Sequence, residues 1–158
     1  MKKSIKTGFS FGLTSGIITT LGLIVGLNAG THSRLVVIGG ILTIAVADSF
    51  SDALGIHVSQ EAEGRNSHKQ VWESTWATLL SKFFFALTFL VPILLFELST
   101  AIIISIIWGL LVLTIYNFKL AKDRRLSKKK IVIEHLAIAI LVIIITHFVG
   151  KWISLVFV

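Results

Sequence analysis

The sequence predicts an all-α, polytopic membrane protein with five transmembrane helices, its N-terminus cytoplasmic and its C-terminus outside. Three observations predict it. The 158 residues are 54% hydrophobic and 15% charged, with a mean hydropathy of +0.89, whereas soluble domains carry about 45–50% apolar and about 25% charged residues. Five apolar stretches each approach the roughly 20 residues that a helix needs to cross a hydrocarbon core of about 30 Å. Most of the 15 Lys and Arg residues lie before or between those stretches. Twelve Gly and one Pro do not suit a low-complexity chain, and the length suits a single domain over 1–158. The absence of Cys excludes disulfides, iron–sulfur clusters and Cys-type zinc sites, so metal ligands would be oxygen and nitrogen.

No charge interrupts the chain from Thr7 to Ser33, and the first span is expected over 8–27. Lys2, Lys3 and Lys6 precede it, but the uncharged stretch outlasts a signal-peptide core, so it is expected to remain as a helix. Asn28, Gly30, Thr31 and Ser33 form a short turn before the second span, 35–59, which contains Asp48 and Asp52. A polar stretch from Gln60 to Ser74 leads to the third span, 77–96. Trp72 and Trp76 stand one turn apart at its start, where interfacial aromatics sit, and Lys82 lies inside it. Glu97 to Thr100 makes a tight helical hairpin into the fourth span, 101–117. After a basic connector, Lys119 to Lys130, the fifth span runs over 131–153, opening on Glu134 and His135 and closing near His147, Gly150 and Lys151.

Orientation follows from charge placement. The N-terminus has three Lys, the second connector Arg65 and Lys69, and the fourth connector Lys119, Lys122, Arg124, Arg125 and Lys128 to Lys130, whereas the other two connectors contain only Arg34. Lys and Arg stay on the cytoplasmic side, so the first three groups are expected inside. The net charge of +7 is therefore read as a topology signal in contact with membrane lipid, with no nucleic-acid partner, and the cell membrane is the expected location.

Span one carries small residues on one third of its circumference. Gly12, Gly16, Gly22 and Gly26 are assigned to close helix packing, while Ser15 and Thr19 could also line a path. In span two, Asp48, Ser51, Asp52, Gly55 and Ser59 fall at i, i+3, i+4, i+7 and i+11 on one face. Each acid costs about 2.5–3.5 kcal/mol at a helix centre, so the pair needs a cation, protons, partners or water, and such residues are functional by default. Lys82 could pair with Asp52 or extend toward the interface. His57 lies roughly opposite Asp48 on the helix and suits a packing role. Glu61, Glu63, His68 and Glu73 bring oxygen and nitrogen ligands to the mouth of the acidic face, a set that suits iron or manganese or simply a solvated surface. Glu134, His135 and His147 are read as interfacial. No G-x-S-x-G, H-E-x-x-H, Walker or dinucleotide motif occurs, so neither an enzyme nor a bound cofactor is expected.

Two segments carry a resemblance. The run from Gly12 to Gly26, GLTSGIITTLGLIVG, and the run from Ala47 to Glu63, ADSFSDALGIHVSQEAE, are similar to spans one and two of the vacuolar iron transporter family. Val91 to Leu94 and Thr146 to Gly150 resemble the ends of its third and fifth spans. The resemblance implies a homodimer with a path between the first helices, moving ferrous or manganous ions out of the cytosol in exchange for protons. Three positions depart from the family: Ser15 replaces its Asp, Asp52 replaces its Met, and its long Glu-rich cytosolic segment is missing, as in its short nodulin-like relatives. By residue count, Ser15 and Asp52 are expected at similar depth. The loss of the thioether leaves an all-oxygen site that favours harder ions.

These features together predict a divalent-cation transporter. Asp48 and Asp52 hold the metal, Ser15, Thr19 and Ser51 line the path, Glu61 and Glu63 gather ions, and Gly55 joins the span-one glycines in helix packing. The alternative is a non-transporting membrane scaffold that keeps the fold.

Overall fold

The computed structural model describes residues 2–123 and 127–157, and among them the chain is helical with no strand. Six helices follow in order: α1 (Lys3–Thr31), α2 (Arg34–Glu63), α3 (His68–Thr88), α4 (Leu90–Leu95), α5 (Leu98–Asp123) and α6 (Lys128–Phe157). With α3 and α4 taken together, five helical segments are long and apolar enough to cross a membrane. Arg124 and Arg125 of the basic connector lie outside the described residues.

The helices outrun the apolar spans because local capping, and not hydropathy, ends them. His32, at a φ of 50°, breaks the chain after α1, and Ser33 Oγ accepts from Val36 N at 3.4 Å to start α2. Gly64, at a φ of 62°, closes α2 in the left-handed conformation that glycine adopts without strain. Ser67 and Gln70 form a capping box that starts α3, so most of the polar stretch expected as a connector is helical. The third span is interrupted at Phe89. Pro92 lacks an N–H, and its ring crowds the carbonyl four residues earlier, so the helix restarts as α4.

The chain divides into two compact units: Met1–Thr20 with Ile41–Leu90, and Leu21–Gly40 with the chain from Val91 onward. In the first, α1 and α3 approach at backbone distance. A Cβ on Gly8 would strike the Ser74 carbonyl, and one on Gly12 would strike Ser81 Oγ and the Thr78 carbonyl. That approach lets Ser74 Oγ donate to Ser4 O at 3.0 Å and Thr78 Oγ1 to Gly8 O at 3.2 Å. In the second unit α1 meets α6: a Cβ on Gly22 would lie 2.8 Å from Val142 Cγ1, and one on Gly26 3.3 Å from Thr146 O. The glycines of α1 therefore serve helix packing inside the chain, as small residues do where two helices come close. Gly55 differs, because nothing lies within 4 Å of the Cβ it lacks. Its expected packing role is not met within this chain.

Large apolar side chains point outward along the spans. Phe50, Phe84, Leu95, Phe148 and Leu155 are all exposed by more than half. In water that surface would drive association, whereas in hydrocarbon it is the expected exterior.

Candidate functional site

The first unit brings one cation to the two acids of α2. Asp48 and Asp52 stand one helical turn apart, and Lys82 of α3, 1% exposed, extends its ammonium to both. Nζ lies 2.5 Å from Asp48 Oδ2 and forms an ion pair and hydrogen bond with Asp52 Oδ2. The Asp48 contact is charge proximity alone, since its Oδ2 receives no hydrogen bond. Lys82 Nζ also donates to Ser15 Oγ at 3.0 Å, and that hydroxyl donates to Asp52 Oδ2 at 2.6 Å. Ser15 and Asp52, expected at one depth, are thus hydrogen-bonded.

Gly16 makes the arrangement possible. A Cβ there would sit 3.1 Å from Lys82 Cγ and from the Lys82 carbonyl, so the missing side chain leaves room for the lysine stem across α1. Lys82 follows His68, the first residue of α3, by fourteen positions, a rise of roughly 20 Å. An ammonium at that depth is held by partners and not by an interface. Between extension toward the interface and pairing with Asp52, the structure selects pairing and adds Asp48.

With all three groups ionised the cluster has one negative charge in excess. The Asp48 and Asp52 side chains remain 28% and 21% exposed, while Lys82 is enclosed. The acids therefore have an open side and the lysine does not.

The other expected site residues lie elsewhere. Thr19 Oγ1 donates to Ser15 O at 2.9 Å, a bond along its own helix. Ser51 is exposed and lines a groove of apolar character with Phe50, His57, Trp72 and Trp76. Glu61 and Glu63 are roughly 13 Å and 16 Å beyond Asp52 along α2. Glu63 lines a separate polar cavity with Lys3 and Arg65, and Glu61 Oε1 is 3.3 Å from His57 Nε2. Glu73 binds Lys2 Nζ at 2.6 Å and Ser4 Oγ at 2.5 Å, and His68 accepts from Trp72 Nε1 at 3.2 Å. No group of three or more His, Asp or Glu among the described residues is placed to hold a metal ion. The twin acids and the outer glutamates are separate features.

His57 gains a definite hydrogen-bond role. Thr75 Oγ1 donates its one hydrogen to Val71 O at 2.8 Å, so at 2.9 Å from His57 Nδ1 it is the acceptor and Nδ1 is the donor. The ring also meets Trp72 edge-on at 4.7 Å. Helical phase alone, which places His57 opposite Asp48, does not indicate these partners on α3.

The chain matches no family model, no curated protein and no solved structure.

Proposed function

We propose that the chain is a multi-pass membrane transporter that exchanges a divalent transition-metal ion, Fe2+ or Mn2+, for protons at the Asp48–Lys82–Asp52 cluster. The observation that carries the reading is the charge imbalance: two carboxylates and one ammonium inside helices fit to span a membrane. A lone charge at that depth is costly, so the cluster is neutral when one acid keeps a proton and Lys82 keeps its charge. A divalent ion between the two ionised acids is neutral only when Lys82 also gives up a proton. Entry of one metal ion therefore expels two protons, and the exchange carries no net charge. Carboxylate and serine oxygens suit manganese better than softer ions. The likeness of the first two spans to the vacuolar iron transporters supports the same substrate class and a homodimer. Ser51, Gly55 and Ser59 supply exposed small positions four residues apart beside the acids, a pattern on which a second copy would pack.

The contact of Lys82 with both acids also favours a second reading, a scaffold in which the ion pair only locks α1, α2 and α3 together. Lys82→Arg separates the two. Arginine keeps the charge and the hydrogen bonds but does not release a proton. In vesicles reconstituted with Mn2+ outside, the transporter predicts that wild type accumulates metal with counterflow of protons, and that Lys82→Arg and Asp52→Asn do not. A wild-type protein that moves neither Mn2+ nor Fe2+ at any pH, but is destabilised by Asp52→Asn, establishes the scaffold.

A further inference from the structure

The first unit contains a second polar site, where α1 begins, α2 ends and α3 starts. It is a cavity of about 280 Å³ whose lining includes Lys3, Ser4, Gln60, Glu63, Arg65 and Asn66. None of Lys3, Arg65 and Glu63 forms an ion pair with another described residue, although Lys2, two positions from Ser4, is paired with Glu73. Two cations face one carboxylate, so the cavity has one positive charge in excess. Gln60 makes the site more than a basic rim: it is 8% exposed, and its Oε1 has no hydrogen-bond partner. A buried amide oxygen without a donor costs about 1–3 kcal/mol, which a ligand hydroxyl or ammonium in the cavity would recover. The first turn of α1 adds backbone N–H groups that have no partner within the helix.

We propose that this cavity binds the headgroup of an anionic, hydroxyl-bearing phospholipid, with the phosphodiester on Lys3 and Arg65 and a headgroup hydroxyl donating to Gln60 Oε1. The charge selects the class. One phosphodiester negative charge brings the cavity to neutrality, whereas a zwitterionic headgroup leaves the positive excess. Position agrees with chemistry: Trp72 and Trp76 follow within the next turns of α3, at the level where aromatic side chains meet headgroups, and acyl chains would extend along the exposed apolar faces of α2 and α3. Free phosphate shares the anionic chemistry but lacks both the hydroxyl and the chains. The inference does not depend on transport at Asp48 and Asp52.

Thermal unfolding of the delipidated full-length protein in a neutral detergent, with phosphatidylglycerol, phosphatidylcholine or inorganic phosphate added, tests it. Phosphatidylglycerol is expected to raise the melting temperature and phosphatidylcholine to leave it unchanged. Lys3→Gln and Arg65→Gln should each weaken the apparent affinity about tenfold, the usual effect of losing one charge-assisted hydrogen bond, while Lys119→Gln with Lys122→Gln should not. Gln60→Glu, which places a negative charge in the cavity, should abolish the effect. Both exposed cations can be removed without touching the core, so folding does not obscure the result. If inorganic phosphate alone reproduces the full shift, the anion site stands and the lipid assignment is overturned. An unchanged phosphatidylglycerol shift in the Lys3→Gln/Arg65→Gln protein overturns the site itself.

Discussion

Lys82→Met retains the length of the lysine stem and removes only its ammonium, which isolates the electrostatic part of the cluster. In the native structure that ammonium lies 2.5 Å from Asp48 Oδ2 and 3.0 Å from Ser15 Oγ, and it bonds Asp52. With both acids ionised, its loss raises the excess from one negative charge to two. Removal of one partner from a buried pair costs about 3–5 kcal/mol; because both acids retain an open side, the lower end applies, about 3 kcal/mol. For a chain of this size that is a fall of about 6–12 °C in melting temperature, readable through the fluorescence of its four Trp in detergent. The Lys82→Met/Asp52→Asn protein returns the excess to one negative charge, so it should recover part of the loss, with a coupling energy of about 0.5–3 kcal/mol between the two positions. A Lys82→Met protein that melts with wild type, or a double variant whose loss is the simple sum of the two singles, would refute the electrostatic account.

Three further outcomes follow from packing. Gly12→Ala places a methyl against the Thr78 carbonyl and Ser81 Oγ and should cost about 1–3 kcal/mol, whereas Gly55→Ala, with open space around it, should be neutral or gain up to about 1 kcal/mol in isolated protomers; chemical denaturation of the two variants compares them directly. The chain has no Cys, so Gly55→Cys gives an unambiguous cross-linking probe: oxidation should yield a disulfide-linked dimer, Gly16→Cys should not, and failure of Ser51→Cys, Gly55→Cys and Ser59→Cys alike would remove α2 as the dimer surface. Asn117 is 0% exposed, and neither its Nδ2 nor its Oδ1 has a partner, so Asn117→Leu, which has the same branching at Cγ and no polar atoms, should raise stability by about 1–3 kcal/mol, measured as a higher melting temperature.

The helices and their suitability for a membrane were legible in the sequence because both are properties of local composition. A stretch of apolar residues without Pro satisfies its backbone within itself in any apolar surroundings. The period of the helix likewise aligned Asp48 and Asp52, and residue counts placed Ser15 level with Asp52. Helix limits were less legible, since the Ser67–Gln70 capping box carries α3 through polar residues that hydropathy assigns to a connector. Only the tertiary structure decided which groups meet. The rotation of α3 about its axis, set by the close approach of Gly8, Gly12 and Gly16, turns Lys82 toward both acids instead of toward an interface. The same rotation gives His57 its partner in Thr75, and α6 takes the remaining α1 glycines. A sequence period specifies which residues of one helix share a face, but which face of the next helix lies opposite depends on contacts between residues far apart in the chain.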